Sequence, residues 1–121
     1  MKNKYGNVRV KKRGFSFSSK LESAVHDLLL LREKAKEISN IRTQCTVELT
    51  RAKIKWRADF MFTDNTTGED VIVEAKGSET ERWLIIYKLL PFYSPCKIEI
   101  WKGNYRKPSL YEIINPELLN G

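Results

Sequence analysis

Residues 53–63 alternate strictly: Ile54, Trp56, Ala58, Phe60 and Phe62 fall on one parity, and Lys53, Lys55, Arg57, Asp59 and Met61 on the other. A period of two sustained this long predicts a β-strand, because successive side chains leave opposite faces. Asp64-Asn65-Thr66-Thr67-Gly68-Glu69 is a turn by composition. Val71 to Lys76 then resumes as a strand, apolar enough to be central. Upstream, Cys45, Val47 and Leu49 alternate with Thr46, Glu48 and Thr50, which predicts another strand.

Helical signals flank these strands. Ser19-Lys20-Leu21-Glu22 is a capping-box pattern, and Leu21, Val25, Leu28 and Leu29 open a helix expected to end between Glu37 and Asn40. A second capping box, Ser78 to Glu81, starts a helix expected to run to Leu90, with Pro91 as its stop. Lys97 to Trp101 predicts a further strand, and a short helix is expected near Ser109 to Ile114. The order is helix, three strands, helix, strand. It predicts an α/β domain with a mixed central sheet flanked by helices. A helix crossing from the third of these strands to the fourth makes those two parallel.

The chain of 121 residues is long enough for one domain, expected over residues 15–121. Residues 1–14 read as a basic arm, mobile or partly extended. Lys4, Arg9, Lys11, Lys12 and Arg13 crowd into it. No apolar run is long enough to span a membrane, and none follows the basic N-terminus as a secretory leader requires. Cys45 and Cys96 form no short-spaced pair, so an intracellular, reducing compartment is expected. His26 is the single histidine, which argues against sites built from several His ligands. A net charge of +7 suits a polyanionic partner, since each basic contact to a phosphate releases condensed counterions.

Asp59 stands fifteen positions before Glu74, and Lys76 follows two residues later. A hairpin symmetric about Thr66 and Thr67 sets Asp59 against Glu74 and Arg57 against Lys76. Two facing carboxylates repel unless a cation or a proton lies between them. Hard divalent cations take carboxylate oxygens, and Mg²⁺ commonly uses one or two of them with waters and substrate phosphates. With a lysine beside them, the set points to metal-assisted hydrolysis of a phosphodiester. An exposed hairpin face with mixed, mutually paired charges is the bland alternative. Lys53, Lys55 and Arg57 form a basic stripe leading to the acids. Arg82 and Lys88 on the second helix are further phosphate candidates, or else a solvated helix face. Glu22 either caps its own helix or reaches over the hairpin to complete a metal site. His26, one turn on, either contacts a ligand or is a buried structural residue.

Glu22 on the first helix, Asp59 on the second strand and Glu74-Ala75-Lys76 on the third together resemble the PD-(D/E)XK nuclease superfamily. Its common core has the element order expected here. Lys4-Tyr5-Gly6-Asn7, Gly14 to Ser23 and Ile38 to Gln44 resemble small phage-encoded nucleases similar to Holliday junction resolvases. Arg57-Ala58 stands where the family motif has Pro before Asp. The resemblance covers roughly residues 4 to 95. It implies a Mg²⁺-dependent endonuclease, with Mn²⁺ able to substitute, acting on branched DNA as a homodimer. Asp59, Glu74, the Ala75 carbonyl and Glu22 would hold the metal. Lys76 would orient the attacking water or stabilise the phosphate. The same residues also fit a nuclease for ordinary duplex or single-stranded DNA, or a non-catalytic DNA-binding module.

Overall fold

The structure, a computed structural model, describes residues 10–12, 15–17 and 19–117. Its elements in chain order are β1 (Val10–Lys12), β2 (Phe15–Phe17), α1 (Lys20–Lys34), β3 (Ile38–Leu49), β4 (Ile54–Asp64), β5 (Asp70–Ala75), α2 (Glu81–Tyr93), β6 (Lys97–Asn104) and β7 (Lys107–Ile114). β3 to β7 form one mixed sheet in sequence order, with β5 at its centre. Neighbours run antiparallel except β5 and β6, which α2 connects and which are parallel, as a helical crossover requires. Among the described residues, no helix is long and apolar enough to cross a membrane.

The sheet lies between the two helices. Val71 and Val73 of β5 pack in one apolar cluster with Leu21, Val25 and Leu29 of α1. Ile72, between them, packs in the other with Trp83, Ile86 and Leu90 of α2. Consecutive residues of one strand thus feed opposite faces, and β5 is buried on both.

β4 departs from simple alternation. Trp56 and Ala58 pack on the α2 side, but Phe60 and Phe62 pack on the α1 side. One parity therefore changes face between Ala58 and Phe60, and does not keep a single face as its spacing predicts. Across from this point β3 is irregular too. Gln44 has a φ of +53° and falls between the Thr43–Phe60 and Cys45–Ala58 pairs.

Four boundaries differ from expectation. α1 ends at Lys34, and β3 begins as early as Ile38. The stop is a Schellman turn: Lys36 adopts φ +64° and its N–H donates to the Glu33 carbonyl, while the Glu37 N–H donates to Arg32. No glycine marks it, so the sequence pattern runs past it. α2 starts after Thr80, whose hydroxyl accepts from the Trp83 N–H, and it continues through Pro91 to Tyr93. Residues 107–114 form β7 and not a helix. The Asn104 carboxamide accepts from the N–H groups of Arg106 and Lys107, which closes a tight β6–β7 turn.

Residues 10–12 of the expected arm form β1. β1 pairs antiparallel with β2, from Val10–Phe17 to Lys12–Phe15, and lies against α1. Phe15-Ser16-Phe17 is strand-prone by its aromatics. Lys11 and Lys12 lie on β1. Lys4, Arg9 and Arg13 lie outside the described residues.

Candidate active site

The β4–β5 hairpin has the expected register. Phe60 pairs with Val73 and Thr63 with Asp70, symmetric about Thr66 and Thr67. The regular ladder ends at Phe60–Val73, one position short of Asp59 and Glu74. There the Asp59 side chain takes over. Its Oδ2 accepts from the Ala75 N–H at 2.8 Å. No ladder pair forms beyond this point, so Arg57 and Lys76 do not pair across the strands.

Glu74 is buried, at 4% exposure. Its Oε2 lies 3.5 Å from the Lys76 Nζ. Its Oε1 is buried with no hydrogen-bond partner among the described residues. Burial raises its pKa from 4.5 to about 7, against the opposing pull of the Lys76 charge. Asp59 is raised well above the ordinary carboxyl range, by burial first and then by the charges of Glu74 and Glu22. The Ala75 N–H offsets this only in part. Two neighbouring carboxylates are thus both poor anions in this setting, and a cation between them would relieve both.

Glu22 projects from the first turn of α1, where Ser19 caps the helix by accepting from the Glu22 N–H at 3.1 Å. The residue is 1% exposed. Its Oε1 accepts from the Gln44 Nε2 at 2.9 Å. Among the described residues, no three His, Cys, Asp or Glu side chains converge closely enough to hold a metal ion together. Asp59 and Glu74 are adjacent, whereas Glu22 acts on them through its charge. Two carboxylates with the Ala75 carbonyl match what Mg²⁺ asks of a protein.

Lys76 is held in place on several sides. Its backbone N–H donates to the Trp101 carbonyl at 2.8 Å, extending the β5–β6 pairing by one residue. Its ammonium lies 4.7 Å from the Trp83 ring centre, a cation–π distance. Trp83 in turn packs against Trp56 and Tyr87. Glu74, Lys76, Arg57, Arg82 and Thr80 line one cleft of about 190 Å³, with Trp56 and Trp83 behind them. Arg82 is anchored there by its Nη2, which donates to the Lys55 carbonyl at 2.7 Å.

Lys53, Lys55 and Lys88 are exposed and do not line the cleft. Lys53 precedes β4, in the turn from β3. His26 is buried and stacks on Phe60 at 5.5 Å between ring centres, a packing role beside the site. A larger cavity, about 310 Å³, lies by Met61, Asp70 and Cys96 at the far end of β5 from Glu74. Its acid Asp70 is already paired with Arg42 at 3.1 Å, so the chemistry points to the smaller cleft.

Gln44, Thr80 and Trp83 are the site residues that sequence reasoning passes over. Gln44 ends the Ile38 to Gln44 stretch of the resemblance without an assigned role, and only the β3–β4 register puts it opposite Asp59. No family model, curated protein or solved structure matches the chain.

Proposed function

We propose that this protein is a divalent-metal-dependent DNA endonuclease of PD-(D/E)XK type, acting on branched DNA and above all on four-way junctions. The observation that carries the chemistry is the buried Glu74 carboxylate, which has a partnerless oxygen and stands beside Asp59 and Lys76. Lys76 offsets one negative charge, and Asp59 and Glu74 together leave a second that a divalent cation would neutralise. Asp59, Glu74 and the Ala75 carbonyl would hold Mg²⁺ or Mn²⁺, with the Glu22 charge adding to the pull. The bound cation would supply charge neutralisation at the phosphate and a lowered pKa for an attacking water.

The chain's own residues do the remainder. Lys76, fixed between Glu74 and Trp83, presents an ammonium where negative charge grows on the phosphate. Arg57 and Arg82 flank the same cleft and would grip the DNA backbone. Lys53, Lys55 and Lys88 add charge along the approach. The net charge of +7 favours a polyanionic substrate, and the choice of a branched one rests on the resemblance. Cutting two symmetry-related strands calls for a two-fold dimer.

The test is cleavage of a labelled four-way junction beside a linear duplex of the same arms, with Mg²⁺ and with EDTA. Symmetric nicks in the junction alone, with Mg²⁺ alone, are expected. Equal cutting of both substrates indicates a general duplex nuclease. No cutting with any divalent ion indicates a DNA-binding module.

A further inference from the structure

We propose that Gln44 is a positioning residue of the metal centre: it fixes the carboxylate of Glu22 toward Asp59 and Glu74. The inference rests on the metal-dependent reading above. Two separate observations support it. The Gln44 Nε2 donates to the Glu22 Oε1 at 2.9 Å, across the gap between β3 and α1. Independently, Gln44 is held at φ +53°, a left-handed conformation unfavourable to residues with a Cβ. Strain of this kind persists only where the surroundings impose it, and it gathers at functional sites.

The two features share one place in the fold. Gln44 falls opposite Asp59 in the β3–β4 register, where β4 changes face. Its backbone belongs to the irregularity beside which the Asp59 carboxylate meets the Ala75 N–H. Its side chain ties α1 to the same spot. An amide suits this task better than a cation. It donates a hydrogen bond to Glu22 without cancelling the negative charge that reaches Asp59 and Glu74.

Glycine separates the two contributions. Gln44→Gly accepts the left-handed backbone more readily than the native residue but has no side chain to hold Glu22. Mn²⁺ affinity is read by electron paramagnetic resonance, and the thermal midpoint of the cation-free protein is measured alongside. Gln44→Gly should bind Mn²⁺ about 10-fold more weakly, the usual order for loss of a group that orients a ligand, while the cation-free protein still unfolds in one cooperative transition. Glu22→Gln should weaken binding similarly, and the double variant should lose little more than either single one. Unchanged Mn²⁺ affinity in Gln44→Gly overturns the proposal. So does full additivity in the double variant, or loss of a cooperative unfolding transition in Gln44→Gly with Mn²⁺ affinity intact in Glu22→Gln. If the native protein binds no Mn²⁺, the metal-dependent reading itself fails, a result distinct from native binding that Gln44→Gly leaves intact.

Discussion

Burial keeps the Glu74 proton in place up to about pH 7, where an ordinary carboxyl releases it near 4.5. Between those values the cation-free folded protein holds a proton that the unfolded chain has lost. Stability is therefore full below about pH 4.5 and falls as pH rises through 7, by on the order of 3 kcal/mol. Urea unfolding in EDTA across this range should show that decline. Glu74→Gln should remove the Glu74 share of it, leaving the part that the raised Asp59 carboxyl contributes, and be at least as stable as the native protein at pH 8. Added Mg²⁺ should restore native stability at high pH, because it binds the folded anionic site alone. Asp59→Asn keeps an acceptor for the Ala75 N–H, so it should fold normally, bind DNA and fail to cut it. That Asp59 and Glu74 come close was legible in the spacing, since a turn symmetric about Thr66 and Thr67 brings them to the same end of the hairpin, although the ladder itself stops at Phe60–Val73. The hold of Gln44 on Glu22 was not legible, because it depends on a left-handed residue that no glycine announces.

At the scale of elements, the informative departures lie where backbone geometry overrides local signals. Lys36 occupies the left-handed position of the Schellman turn that ends α1, a place suited to glycine. Lys36→Gly should raise stability by about 1 kcal/mol in denaturant unfolding, from relief of that strain. An unchanged or lower midpoint would show that the turn is not strained. The same turn explains why the helix was expected to run on to residues 37–40: nothing in Lys34-Ala35-Lys36-Glu37 breaks the pattern. Pro91 misled in the other direction. It lies within the last turn of α2, where the helix needs few further hydrogen bonds. β7 was hidden because only its turn, set by the Asn104 side chain, distinguishes it from a short helix. The central strand was plain, since Val71-Ile72-Val73 can be satisfied only by apolar cover on both faces.

Taken as a whole, the molecule sets its acids at the end of the central strand and surrounds them with cations on β4 and α2. Arg57 and Arg82 line the cleft beside Glu74, and each should carry one phosphate contact. Arg57→Ala and Arg82→Ala should each reduce the slope of log affinity against log salt by about 1, with little change in preference among DNA sequences. Fluorescence anisotropy over a salt series measures this, and an unchanged slope would remove that residue from the interface. The overall charge was readable from composition, but the face that gathers it needed the fold: Arg82 comes beside Arg57 only because α2 crosses over β4. Asp59, Glu74 and Lys76 are proposed to form a metal-dependent phosphodiesterase site. Its most direct test is cleavage of a labelled four-way junction by the native protein and by Glu74→Gln, each with Mg²⁺ and with EDTA, with binding measured in parallel. The native protein should cleave with Mg²⁺ alone, and Glu74→Gln should not cleave although it still binds the junction. Cleavage in EDTA, or undiminished cleavage by Glu74→Gln, would contradict that assignment.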